Sequence, residues 1–411
     1  MRTFFLVLIP KLLFGTNYFV EAIFLYALTK LKGSTPSKRI RNRGSIDFLK
    51  DRLAKNGAKR LAIFVGYHSP NKIPKSNLNY LNILKKTNFE IIYVHNGELD
   101  KGIKKVLTDE GHYVICRDNL GQDMGAYKDV MLLIENHKLT DNLDWILICN
   151  DSNFCLGGNN AQKFIDRFSN ILEGEAQEKP DFISLNCNYD HDLHHQSYFL
   201  CFSRIIFKNQ KFKNFWKNYI PLSNRYHAIE QGEKKLTKKI LSRYKPNIMF
   251  TSHELSLALK LNPQNQNYLV ANLPKVLFYL NLSFEEGENI QYDTKTIIDS
   301  LENYNPSHVF GLLNILFMEY PFLKKDVVRQ GTFSFSQIFD VLHTTSLSLR
   351  EDLRNEIMES LLKGGTSYSY RGSPKLAYEK GIPVEGPTYD VHYISMLLRM
   401  KAYWVTPKKN L

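Results

Sequence analysis

Between Arg117 and Ser152 the chain carries two linked pieces, RDNLGQDMGAYKDVM and, after a polar stretch, DWILICNDS. The first is rich in turn formers, with Gly121 and Gly125 flanking the acid Asp123, and runs into a helical pattern. The second is an apolar run over residues 145–149 that stops abruptly at Asn150, Asp151 and Ser152. A short apolar run of this kind reads as a strand buried on both faces. A buried strand that delivers a carboxylate at its C-terminal tip is how open α/β sheets build ligand sites. This pairing of loop and strand restricts the fold more than any other part of the chain.

The surrounding pattern agrees with it. Strand-type runs at residues 61–66, 90–94, 113–116 and 145–149 alternate with helical patterns at 76–88, 100–110 and 124–137. That alternation predicts right-handed βαβ units and a Rossmann-type α/β fold, a mainly parallel sheet flanked by helices. The order then changes. Strands at 181–185 and 198–202 are separated by a polar, His-rich loop, and helices at 212–219 and 229–243 follow. A short strand near 247–250 and a helix at 252–260 complete this part. Residues 264–363 read as mostly helical, and 364–411, rich in Gly, Ser, Tyr and Pro, show no period. With 411 residues, 43% of them hydrophobic, the chain can bury a large core. We therefore expect an apolar and basic membrane-proximal segment at 1–58, an α/β domain at 59–262, and a helical C-terminal extension with an irregular tail at 263–411.

The formal net charge of +13 is unevenly placed, with eleven Lys/Arg in residues 30–60 against Asp47 and Asp51. Upstream, MRTFFLVLIPKLLFGTNYFVEAIFLYALTKLKG is apolar but is interrupted by Pro10, Lys11 and Glu21. It lacks the run of about 18–20 apolar residues that a spanning helix needs, and no small-residue cleavage site follows it. An apolar segment beside a basic cluster fits a helix lying on an anionic membrane surface. A core helix followed by a solvated linker fits as well. Without an RNA- or DNA-binding motif the charge does not point to nucleic acid. The five cysteines are odd in number and lack metal-ligand spacing, which predicts buried free thiols in a reducing compartment. The expected location is the cytoplasm, peripheral on the inner face of the cell membrane.

Four stretches carry residue types suited to chemistry. Asp151, with Asn150 and Ser152 as further oxygen donors, could hold a divalent metal, Mg²⁺ or Mn²⁺, against a sugar diphosphate; an Asx turn closing the strand needs the same residues. In the loop before it, Asn119, Gly121 and Gly125 permit close approach of a ligand and Asp123 could bind ribose or metal, or Asp123 could simply favour the helix start. His195, Gln196, Ser197 and Tyr198 could line an acceptor-sugar pocket, or form a plain polar loop. Glu233, with Glu230 as second choice, could take the proton from an acceptor hydroxyl, or serve the helix macrodipole.

Taken together, NLGQDMGAYKD, LICNDSNF, HHQSYFLCFSRIIF with FKNFWKNY, and IEQGEKKLTKKI resemble the rhamnan synthesis protein F family in order and spacing. NPSHVFGLL and YPFLKKDVV resemble its helical continuation. The resemblance implies a GT-A-like fold and transfer of a sugar from a nucleotide-sugar donor to a growing, lipid-linked or polymeric surface glycan. Inversion at the sugar is implied too, with a hexose or deoxyhexose as the transferred group. It also implies that Asn96 and Glu98, at the end of the second strand, lie beneath the nucleobase. The usual metal-binding acid pair is reduced here to Asn150-Asp151-Ser152, with one carboxylate. A non-catalytic glycan-binding or assembly protein on the same fold is the alternative.

Overall fold

The computed structural model describes residues 39–364 other than 56, 175–178, 190–191, 262–293, 309, 330–332, 334 and 345–350. The apolar N-terminal segment and the tail beyond residue 364 lie outside the described residues.

Eight strands form one mixed sheet in the order β1-β4-β3-β2-β5-β10-β7-β11. They are β1 (Ile40–Arg43), β2 (Arg60–Gly66), β3 (Glu90–Asn96), β4 (Tyr113–Arg117), β5 (Trp145–Asn150), β7 (Phe182–Ser184), β10 (Phe199–Ser203) and β11 (Pro246–Ile248). The pairs β2–β3, β3–β4, β2–β5 and β7–β11 are parallel, while β1 and β10 run antiparallel to their neighbours. Helices α1 (Ile46–Lys55), α2 (Lys75–Lys86), α3 (Lys101–Asp109), α4 (Gln122–Asn136), α5 (Gly158–Glu173) and α6 (Gln210–Asn218) belong to the same unit. The α/β arrangement expected from the sequence, a mainly parallel sheet flanked by helices, is therefore the one adopted.

Strand β2 shows why. Leu61, Ile63 and Val65 join one apolar cluster with Met124, Tyr127 and Trp216. Ala62 and Phe64 join another with Tyr80, Phe164 and Tyr320. Alternate side chains thus enter different cores, and a strand with both faces covered must be apolar throughout. The five cysteines are free and buried, as expected.

Several boundaries differ from the sequence reading. Strand β1 and helix α1 lie within the stretch assigned to a membrane-proximal segment, yet β1 pairs with β4. Its Arg-Asn-Arg surface is mostly exposed, and a charged edge strand looks like a solvated linker in sequence. The C-terminal extension is likewise built into the domain. Its strand β12 (Phe322–Lys324) pairs with β6 (Asn153–Cys155), directly after β5. Phe322 packs at 4.9 Å from Tyr80 and 5.5 Å from Phe164, ring centre to ring centre. Glu356, on the helix Glu351–Gly364, accepts the Ser76 N–H at the start of α2. The helix expected over 229–243 is instead a π-helical turn at Ala228–Lys234, a short α-helix at Lys235–Lys239 and a 3₁₀ turn at Leu241–Arg243.

One charged network ties the sheet edge to α4. The Asp129 carboxylate, fully buried, accepts from Arg39 Nε at 2.9 Å and from Arg117 Nε at 3.0 Å. Both guanidinium groups are also buried. Arg117 further donates to Asn96 Oδ1 and, at 2.6 Å, to the Leu120 carbonyl. Removing one partner of a buried pair leaves uncompensated charge in a poor solvent for it. Asp129→Ala should therefore lower stability by about 3–5 kcal/mol in urea unfolding. Arg41→Ala, at an exposed pair with Glu98, should cost less than about 1 kcal/mol.

Candidate active site

Strand order reverses around β2, whose neighbours are β3 on one side and β5 on the other. This switch point is where an open α/β sheet leaves a crevice. Asp151 sits at this switch point, just past β5. Its N–H donates to the Val65 carbonyl at 3.0 Å, and its Oδ2 accepts from the Tyr67 N–H at 3.0 Å. The carboxylate is thereby fixed across the ends of two parallel strands. Asn150 forms the Asx turn, its Oδ1 accepting from the Ser152 N–H at 3.0 Å, while its Nδ2 donates to Asp123 Oδ2 at 2.8 Å. Turn formation and site construction are the same set of contacts here.

Asp123 stands in the first turn of α4. It keeps some surface exposure, but protein crowds its carboxyl. That desolvation, and then the charge of Asp151, push its pKa up to about 7, with Lys324 pulling the other way. The glycines beside it serve the protein's own chain rather than an open ligand cradle. Gly121 has φ +75°, and a Cβ there would come within 2.5 Å of Pro221 Cβ. A Cβ on Gly125 would reach 2.2 Å from the Leu120 oxygen. Their amides are engaged as well, Gly121 N–H donating to Ser223 Oγ at 3.1 Å and Gly125 N–H to the Gly121 carbonyl at 2.8 Å. Asn119 is exposed, and its carbonyl accepts from Ser223 Oγ.

Glu233 lies on the π-helical turn, a local widening often found at functional sites. Gly232 lets this turn press against α4: a Cβ there would meet Met124 Cε at 2.7 Å. Glu233 Oε1 accepts from the Ser197 N–H at 2.7 Å and from Ser197 Oγ at 2.6 Å. Its Oε2 lies 3.9 Å from His194 Nε2. Ser197 itself is fixed by Tyr127, whose hydroxyl donates to its carbonyl at 3.1 Å. Glu230, by contrast, pairs with Lys234 at 2.7 Å along the same helix.

Sequence reasoning missed the lysines that the C-terminal extension brings to this site. Lys324 ends β12, donates to Ser152 Oγ at 2.9 Å and covers the Tyr198 ring at 4.4 Å. Burial lowers its pKa, while the charges of Asp326, Glu233 and Asp123 oppose that shift. Lys325 Nζ lies 3.8 Å from Asp151 Oδ2. The tetrad LKKD reads in sequence as the solvated start of a helix, and only the β6–β12 pairing reveals where it lands.

Other expected ligand residues are engaged with the protein's own groups. Asn96 is buried beneath Arg117, and exposed Glu98 pairs with Arg41 at 3.2 Å. His195 is buried, bonded through Nδ1 to Ser184 Oγ at 2.9 Å and packed edge-on to Phe182. Burial lowers its pKa to about 4, so it is a neutral core histidine. Gln196 accepts from Ser307 at 3.2 Å, and the Tyr198 hydroxyl donates to Asn186 at 2.9 Å. The sequence pattern missed these roles because polar residues in a two-residue strand (His194–His195) resemble a loop.

A divalent ion fits this set poorly. Asp151 Oδ2 already accepts an N–H and has an ammonium beside it, and the Asn150 and Ser152 side-chain oxygens are engaged. Among the described residues no group of three or more His, Cys, Asp and Glu is arranged to hold a metal.

The rhamnan synthesis protein F model matches residues 91–325, which include all of β3 but its first residue, Asp123, Asp151, Glu233 and both lysines. The chain belongs to this family. An uncharacterized relative, y4gN of Sinorhizobium fredii, is 23% identical over 247 residues, and the chain spans 60% of its length and 60% of this one. Among solved structures, the glycosyltransferase GlyE of Streptococcus pneumoniae is similar at 10% identity and a TM-score of 0.29, covering 64% of this chain and 65% of GlyE. TarS of S. aureus is similar at 11% identity and a TM-score of 0.25, covering 81% of this chain and 95% of that one. For this rhamnan synthesis protein F member, strand order rather than superposition defines the fold.

The raised pKa of Asp123 has a defined consequence. A carboxyl protonated more readily folded than unfolded contributes stability below its ordinary value of 3.8, and that contribution is lost as pH rises through about 7. Asp123→Asn should flatten the fall in melting temperature between pH 5 and pH 8, measured by thermal melts across that range. An unchanged slope would remove the assigned shift.

Proposed function

We propose that this protein is a glycosyltransferase of surface-polysaccharide assembly, moving a hexosyl or deoxyhexosyl group from a nucleotide-sugar donor to a lipid-linked or polymeric glycan. The observation that supports it best is the convergence of two acids from distant segments. Asp151 stands at the switch point, and Glu233 is aimed by two hydrogen bonds from Ser197. The charges of both act on Asp123.

The reaction is a single displacement with inversion. The acceptor hydroxyl attacks the anomeric carbon as the bond from that carbon to the diphosphate oxygen breaks. Glu233 takes the hydroxyl proton, and the nucleoside diphosphate departs with the bonding electron pair. Ser197 occupies Oε1, so the acceptor hydroxyl would approach Oε2, which faces His194 Nε2 at 3.9 Å. A general base of this kind contributes about 10²–10⁴-fold. Glu233→Gln should therefore lower kcat by at least about 100-fold while donor affinity changes little, read by initial rates and by equilibrium titration. Equal loss of donor affinity would place Glu233 in donor binding instead.

The apolar, basic N-terminus supports peripheral attachment to an anionic membrane, the cytoplasmic face in this reading. Among the described residues no helix is long and apolar enough to cross one. Deleting residues 1–38 should abolish co-sedimentation with phosphatidylglycerol vesicles and leave the melting temperature unchanged, since β1 begins at Ile40. Undiminished co-sedimentation would contradict this attachment.

A further inference from the structure

We propose that Lys324, Lys325 and Asn153 form a diphosphate clamp in which protein cations take the place of a divalent metal. This inference rests on the glycosyltransferase reading. A diphosphate brought to the switch point meets the negative charge of Asp151, with Asp123 beside it, and must be neutralised to stay there. The two lysines are in place to do so. Lys325 Nζ is 3.8 Å from Asp151 Oδ2, with only 12% of its side chain exposed. Lys324 Nζ is held by Ser152 Oγ at 2.9 Å and by the face of Tyr198 at 4.4 Å. Neither of these two partners carries a charge; Asp326, Glu233 and Asp123 lie near enough to favour the charged form of Lys324 against its burial.

Asn153 supplies an independent pointer. It is the register partner of Lys324 across the antiparallel β6–β12 pair. Residues directly opposite in such a pair present their side chains on one face. Asn153 is only 2% exposed, and neither Nδ2 nor Oδ1 has a partner among the described residues. A buried carboxamide without partners costs stability, and a ligand that accepts from its nitrogen would account for it. An ammonium pair and an orphan amide donor at one strand end match the oxygens of a diphosphate.

The test uses the full chain and four probes: inorganic pyrophosphate, UDP, dTDP and GDP, titrated calorimetrically in EDTA and again in Mg²⁺. The wild-type protein should bind pyrophosphate and at least one nucleoside diphosphate, with affinities that EDTA leaves within about twofold. Lys324→Met and Lys325→Gln should each weaken that binding about tenfold or more, as expected for loss of a charge-assisted contact. Lys324→Arg and Lys325→Arg should retain it. Asn153→Leu should weaken binding while the melting temperature stays level or rises, a combination that a purely structural asparagine would not give. Binding that requires Mg²⁺ and is unchanged in correctly melting lysine variants overturns the clamp and leaves the glycosyltransferase reading standing. A wild-type protein that binds none of the probes in either condition overturns both.

Discussion

The structure depends on one buried carboxylate. Asp129, inside α4, is held between Arg39 at the entry to β1 and Arg117 at the end of β4. Ions in a low-dielectric interior are tolerable only when their hydrogen bonds are satisfied. Here the two guanidinium groups reach out from Asp129 to the chain around it. Arg117 takes the carboxamide of Asn96 and the carbonyl of Leu120, and so sets the ends of β3 and β4 and the loop that follows. That loop carries Gly121 against Pro221 and opens α4, whose first turn presents Asp123 to the crevice. Residues first read as ligand contacts are, in this light, the frame that positions Asp123.

From that frame the site follows by short steps. Asp123 bonds Asn150, Asn150 closes the turn around Ser152, and Ser152 receives Lys324 from a strand 172 residues further on. On the far side the π-helical turn rests on Met124 at the start of α4 and brings Glu233 to Ser197. Acidic and cationic groups from four separate segments thus come together at one end of the sheet. Burial raises the pKa of Asp123 and lowers that of Lys324, and the neighbouring acids add to the first shift and oppose the second. Perturbed ionisable groups gathered at a switch point mark a candidate functional site.

Much of the fold was legible because buried parallel strands must be apolar throughout, which made β2 to β5 and their alternating helices visible. Asp151 stood out as a candidate because it sits at the abrupt end of an apolar run, and Glu233 because it is an acid at the opening of a helical pattern. Strand β1 was not, since an edge strand of Arg-Asn-Arg has no apolar face to show. Short β12 and the LKKD tetrad were hidden for another reason: their role comes from pairing with β6, a contact between segments far apart in sequence. His195, Gln196 and Tyr198 misled because polar side chains satisfied by distant partners such as Ser184, Ser307 and Asn186 are locally indistinguishable from a ligand-facing loop.

A cavity at the other end of the sheet allows a direct test. A cavity of about 590 Å³ opens near the start of β2 and β3, lined by Arg52, Lys59, Arg60, Lys85 and His112, at the opposite end of the strands from Asp151. A crystal structure with a bound nucleoside diphosphate discriminates between the two. The account predicts phosphate oxygens within hydrogen-bond distance of Lys324 and Lys325, beside Asp151 and across the crevice from Glu233. A diphosphate seated against Arg52 and Arg60 instead would contradict it.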